Sequence, residues 1–174
     1  MRAEIFPDES AGEFPEPPTT FTDGEDRDIS VQVADADILE ELVEMYVEFD
    51  PEDRAQGIPP VREDSIREWL DTLLDSDCLN VVARHGDSAI GHATLVPDRG
   101  EAYELAIFVL HTHQGAGIGT VLLKRLLGHA QASGIELVWL TVERWNKPAI
   151  TLYEKVGFET ASTEGFELEM GIRL

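Results

Sequence analysis

The chain has 174 residues, 43% of them hydrophobic, with 35 Asp and Glu against 13 Lys and Arg, for a net charge of −22. That supports one domain with a short appendage and a core large enough to need no staples. The acidity makes duplex nucleic acid and anionic membranes poor partners, and the lone cysteine, Cys78, excludes an internal disulfide and a cysteine-rich metal site.

No apolar run approaches the ~18 residues of a membrane helix. No basic-then-apolar pattern opens the chain, so a cytoplasmic location is expected. Residues 1–28 hold Pro7, Pro15, Pro17 and Pro18 and nine acids against two arginines. They lack a clear period and read as a largely irregular acidic arm, with Ile5, Phe6, Phe14 and Phe21 as candidate anchors. Residues 29–174 read as the folded domain. Ile29, Val31 and Val33 alternate with polar residues, which predicts a short strand. Asp35 or Asp37 can cap the following helix, whose apolar positions are Ile38, Leu42, Met45, Tyr46 and Phe49.

Residues 51–61, with three prolines and a glycine, predict a loop. A second helix is expected over about 63–75, with Ile66, Trp69, Leu70, Leu73 and Leu74 on one face. Strands follow over 77–84, 89–96 and 102–110, separated by turns at 85–87 and 97–100, as an antiparallel meander. A helix over 117–133 turns Val121, Leu122, Leu126 and Leu127 inward and ends at Gly134. A strand over 136–142, a helix over 147–156 stopped by Gly157, and strands at 158–160 and 167–172 complete the pattern. The fold class is α/β: a mixed, mostly antiparallel central sheet of about six to seven strands, with helices on both faces.

The most informative stretch runs from Glu104 to Leu122. An apolar strand leads into Gln114-Gly115-Ala116-Gly117-Ile118-Gly119-Thr120, and a helix begins at once. Glycines let a backbone approach a ligand without a Cβ in the way. The first amides of a helix lack internal partners and sit at its positive end. Together they make an anion cradle suited to phosphate or pyrophosphate. A P-loop would need Lys-Ser/Thr after its last glycine, but Gly119 is followed by Thr120. A dinucleotide fingerprint would need glycine at 120.

The spacing Gln114-x-x-Gly117-x-Gly119 resembles the signature of the GNAT superfamily of acyl-CoA-dependent N-acyltransferases. A second match, Asn146, Ala149, Tyr153 and Gly157-Phe158, stands at the superfamily's spacing. The order of elements from 29 to 174 also agrees, while residues 1–28 are not covered. The resemblance implies acetyl-CoA as cosubstrate and an amine-bearing acceptor, joined in a ternary complex with direct acetyl transfer. It implies no metal and leaves a homodimer open. The amides from Gly115 through Ala116, Gly117, Ile118 and Gly119 to Thr120, with Gln114, would hold the pyrophosphate. The backbone of Ile107, Phe108 and Val109 would pair with the pantetheine arm, in a gap where two strands splay apart. An amide near Val109 would polarise the thioester, Asn146 would bond the arm, and Tyr153 would protonate the leaving thiolate.

Elementary chemistry asks for the same parts. An amine of pKa ~10.4 must lose a proton before it attacks, and a thiolate leaving group must gain one. Glu104, opening the strand that faces the thioester, is the first candidate base, and Glu143 the second. Relatives that acetylate ribosomal-protein N-termini carry a glutamate five residues before the motif asparagine; here that residue is Thr141. His111 and His113 are expected to pack in a loop, His85, His92 and His129 form no ligand cluster, and Cys78 is expected to be buried. Acceptor specificity is assigned to 46–66, with Tyr46, Glu48, Asp50, Glu52 and Asp53 as an acidic rim. The competing readings are a catalytically weak CoA-binding module of this fold and a nucleotide-binding oxidoreductase. Ten of the 13 basic residues are arginine, and this acid-rich, lysine-poor balance resembles that of proteins from extreme halophiles. Leu105–Leu110 and Gln114–Lys124 contain no acid.

Overall fold

A computed structural model describes residues 5–50, 58–98, 100–162 and 165–174. The predicted loop acids Glu52 and Asp53, and Arg99 of the second turn, lie outside them. Eight strands form one sheet: β1 (Thr19–Thr22), β2 (Asp28–Val33), β3 (Leu79–His85), β4 (Ser88–Pro97), β5 (Tyr103–Val109), β6 (Leu137–Glu143), β7 (Glu159–Ser162) and β8 (Glu167–Arg173). Their spatial order is β1-β2-β3-β4-β5-β6-β8-β7. Every neighbouring pair is antiparallel except β5 and β6, which run parallel. The strand beyond the expected six to seven is β1, inside the proline-rich arm. Its sequence, Thr-Thr-Phe-Thr, has a single apolar side chain, so its pairing with β2, and not its pattern, makes it a strand.

Among the described residues four α-helices join the sheet: α1 (Leu39–Val47), α2 (Glu63–Leu73), α3 (Ile118–Ala132) and α4 (Lys147–Val156). Asp35 caps the 3-10 turn that leads into α1, its carboxylate accepting from the Asp37 amide. Glu63 and Asp64 place negative charge at the positive end of α2.

Alternation along β4 sorts the helices by face. A Cβ on Gly91 would meet Leu122 of α3 at 3.2 Å, whereas the next residue, His92, bonds Tyr46 of α1. The pair α1 and α2 therefore covers one face and α3 covers the other, with α4 packed beside it. Leu122, Leu123, Leu126 and Leu127 of α3 and Leu42, Ile66 and Leu70 of the first pair are fully buried. Each contributes on the order of 2 kcal/mol of apolar burial.

Within the arm, residues 7–18 run without helix or strand but are bound to the domain. Phe6 packs on Trp139 and Ala102. The Ala11 amide donates to the Arg173 carbonyl, and Arg173 Nε to the Pro7 carbonyl. Gln131 of α3 accepts from the Phe14 amide and donates to the Gly12 carbonyl. Arg125 donates to the Glu16 carbonyl at 2.7 Å. Cys78 corrects its expectation: it is half-buried, just before β3. Burial, then Asp75 and Asp77, raise its pKa, so the thiol stays protonated.

Candidate active site

The site begins where two strands part. β5 pairs with β4 along its whole length, but with β6 only at Tyr103 and Glu104. Among the described residues, no strand lies against the β6-facing edge of β5 beyond Glu104. The Leu110 amide donates to the Ile90 carbonyl on the β4 side. Peptide groups alternate edges along a strand, so those of Ile107 and Val109 face the gap and those of Phe108 face β4. From Leu105 to Val109 the open edge is about 13 Å long, at ~3.3 Å per residue.

The gap leads to the glycine loop. Gly115 and Gly117 adopt φ of 73° and 88°, which only glycine takes without strain. A Cβ on either would meet nothing within 4 Å, so the backbone borders open space there. Gly117 is the N-cap of α3 and supplies no side-chain cap, and the first turn, Ile118-Gly119-Thr120, carries no acid. Its amides are thus the unpartnered positive end of a 15-residue helix. Gly119 lies against α4: a Cβ there would make an ordinary contact with Leu152 at 3.5 Å. Gln114 is exposed and folds back on β5, its side-chain amide donating to the Val109 carbonyl at 2.9 Å. That bond fixes the loop to the end of β5 and occupies one of the peptide oxygens facing the gap.

Helix α4 lines up two more expected residues. Asn146 is its N-cap, with Oδ1 accepting from the Ala149 amide at 3.3 Å. Tyr153 is seven residues on, nearly two full turns, so both lie on one helix face about 10 Å apart. Tyr153 is 8% exposed, its ring against Phe158 at a centroid distance of 5.7 Å. Burial pushes its pKa up to about 12, which keeps the hydroxyl protonated across the physiological range.

Glu104 is exposed and sits in register with Val96 on β4 and Trp139 on β6. That register puts it on the face of the sheet covered by α1 and α2. On the same face Thr141 of β6 stands opposite Glu169 of β8, and Glu143 opposite Glu167. Glu169 is half-buried; it escaped notice because cross-strand pairing is invisible in local sequence. The structure does not gather the two candidate bases at one point: Glu104 is the second residue of β5, whereas Glu143 closes β6.

Against β5, Phe108 packs with Tyr46, Phe49 and Trp69 at centroid distances of 5.1–6.1 Å, edge to face except for the tilted Tyr46–Phe49 pair. Below them runs a buried polar chain. The Asn80 amide nitrogen donates to the Leu73 carbonyl, its Oδ1 meets His92 Nε2 at 2.7 Å, and His92 Nδ1 meets the Tyr46 hydroxyl at 2.6 Å. A carbonyl only accepts, which fixes the Asn80 orientation. His92 therefore carries its proton on Nε2 and accepts the Tyr46 proton on Nδ1. Burial pulls His92 down to about 3 and pushes Tyr46 upward. His113 lies in a 3-10 turn against Thr112 and His85, 3.1 Å from the latter. Among the described residues no cluster of three metal-ligating side chains occurs. Sequence reasoning also passed over Trp145 and Phe166, 63% and 78% exposed and 6.5 Å apart beside Asn146.

An open strand edge, a glycine-led helix end and two aligned helix residues are the parts of a candidate site for an extended, anionic ligand. Residues 39–158 match the model of the acetyltransferase (GNAT) family, and the chain belongs to that family. Over 80 residues it is 36% identical to a [ribosomal protein bS18]-alanine N-acetyltransferase of Haemophilus influenzae, a match covering 46% of this chain and little more than half, 54%, of that relative. The GNAT domain of S. lividans PAT superposes with a TM-score of 0.76 at 18% identity, covering 90% of this chain and 97% of that one. PaiA N-acetyltransferase from Thermoplasma acidophilum, solved in complex with coenzyme A, gives 0.70 at 23% identity, covering 84% and 99%.

Proposed function

We propose that the chain transfers an acetyl group from acetyl-CoA to a primary amine of a small molecule or peptide, directly, in a ternary complex. The observation that carries this reading is the parting of β5 and β6 beyond Glu104, with the uncapped α3 N-terminus at the end of the gap. Coenzyme A couples a pyrophosphate to an extended pantetheine arm. The amides from Gly115 to Thr120 suit the first, and the edge peptides of Ile107 and Val109 suit the second. Gln114 acts by holding the loop, since its side chain is committed to Val109. With Oδ1 of Asn146 spent as a cap, its Nδ2 is the group left for the pantetheine arm.

The thioester carbonyl would accept the Val109 N–H, a contact worth on the order of 3 kcal/mol as charge develops on oxygen. The amine nitrogen attacks, its proton passing to Glu104 directly or through water. The carbon–sulfur bond breaks, and the Tyr153 hydroxyl donates its proton to the departing sulfur. The name of the Haemophilus relative suggests a protein α-amine as acceptor, but Thr141 stands where such relatives carry a glutamate. Glu169, across the strand pair from Thr141, offers a carboxylate on that face. The acidity of the chain is read as solvent adaptation to high salt. The arm, 1–28, is read as an appendage to the catalytic domain, 29–174.

Calorimetry with acetyl-CoA and with NADH tests the cofactor, with micromolar acetyl-CoA binding expected; tight NADH binding would sink the assignment. An acetyl-CoA turnover screen over amines, antibiotics, amino acids and peptides in high salt then identifies the acceptor.

A further inference from the structure

The glycine loop is held from outside by the tip of the β1–β2 hairpin. The Gly24 amide donates to the Ala116 carbonyl at 2.9 Å, and Arg27 Nη1 donates to the Thr112 carbonyl at 3.0 Å. The tip is itself tied at one buried carboxylate. Asp23 is 6% exposed, and its Oδ1 accepts from the Glu25 and Arg27 amides while Oδ2 accepts from Arg27 Nε at 2.8 Å. Burial opposes the charge on Asp23, but these hydrogen bonds and the guanidinium outweigh it and hold the carboxyl below its usual range.

Behind the tip, the arm is seated in notches cut for it. A Cβ on Gly128 would overlap the Pro15 carbonyl, and one on Gly171 would overlap the Ile5 carbonyl. Glycine inside a helix costs about 1 kcal/mol relative to alanine, so Gly128 is a poor choice for α3 unless another segment needs the space. The same helix presents its N-terminus to the glycine loop. The arm thus follows α3 from Gln131, Gly128 and Arg125 to the loop at its head. Two glycines of left-handed φ make that loop intrinsically loose, and a loose loop loses affinity when it must order around a ligand.

We propose that the hairpin tip is a positioning device for the pyrophosphate loop, with Asp23 and Arg27 as positioning residues that set how tightly the cofactor's phosphates are held. This rests on the coenzyme A reading above. The test uses the full chain with Asp23→Asn and, separately, Arg27→Met. Calorimetry measures coenzyme A binding, and steady-state kinetics give KM for acetyl-CoA, KM for the acceptor and kcat. Loss of one charged hydrogen bond is expected to raise the coenzyme A Kd and the acetyl-CoA KM about tenfold. Acceptor KM and kcat should stay within about twofold, a split that a merely structural role does not produce.

Gly128→Ala provides an independent variant, because it improves helix propensity yet displaces Pro15. It is expected to weaken coenzyme A binding in the same sense, and it decides the matter if the Asp23 variant does not fold. Unchanged Kd in Asp23→Asn and Arg27→Met, or in Gly128→Ala where that variant decides, overturns the proposal while the coenzyme A reading stands. A fall in melting temperature with unchanged Kd overturns it equally. If the unaltered chain binds no coenzyme A, the underlying reading fails and takes this one with it.

Discussion

Burial keeps Tyr153, the proposed acid, protonated. A phenol with a pKa of about 12 holds its proton through neutral pH and so has it to give as the sulfur departs; a thiol of pKa ~8.5 is the stronger acid, so the transfer runs uphill and burial supplies the proton without easing its release. Tyr153→Phe is expected to lower kcat about a hundredfold and to leave the coenzyme A Kd nearly unchanged; unaltered turnover removes Tyr153 from the mechanism. Glu104→Gln should flatten the acidic limb of the kcat/KM profile, whereas a retained limb shifts the base to Glu143 or Glu169. Thr94 tests a different residue-scale effect. Its hydroxyl is fully buried and finds no hydrogen-bond partner among the described residues. Thr94→Val keeps the shape and removes the orphaned group, so thermal denaturation should show a gain of about 1 kcal/mol. These residues differ in how legible they are in the sequence. Asn146 and Tyr153 declare themselves by spacing on one helix, and Gly115 and Gly117 by spacing in one loop. Glu169 and Thr94 have no such signature, because what matters is which strand lies beside them.

At the scale of elements, the chain from Tyr46 through His92 and Asn80 to the Leu73 carbonyl joins α1, β4, β3 and the end of α2 in one polar seam. Tyr46→Phe strands His92 Nδ1 and is expected to cost about 2 kcal/mol. The seam also has a pH signature. His92 titrates near 3 in the folded chain against 6.5 for an ordinary histidine, so between those values the unfolded state binds the extra proton. Stability is therefore fully present above about pH 6.5 and falls as the pH drops toward 3, by about 1.4 kcal/mol per unit. Denaturant titrations of His92→Gln should show a correspondingly shallower loss across that window; an identical slope assigns the acid sensitivity to other groups. Most elements were readable because their hydrophobic periods are local, and their ends moved by only one or two residues. The eighth strand was not. Thr19–Thr22 becomes a strand only by meeting β2, and the glycines that admit the arm, Gly128 and Gly171, face segments more than 100 residues away in sequence.

For the molecule as a whole, the charge of −22 and the acid-free stretch Gln114–Lys124 belong together. On the proposed reading, coenzyme A, itself an anion, crosses a repulsive field to reach an acid-free doorway at the head of α3. Salt shortens the reach of that field, from about 10 Å at 0.1 M to about 3 Å at 1 M, while leaving close contacts at the helix end largely intact. Stopped-flow association of coenzyme A should accelerate with added sodium chloride; deceleration would mean that attraction, not repulsion, governs approach. On the proposed cofactor reading, ionic strength would set the rate of cofactor capture, so that added salt opens a route the chain's own acidity obstructs.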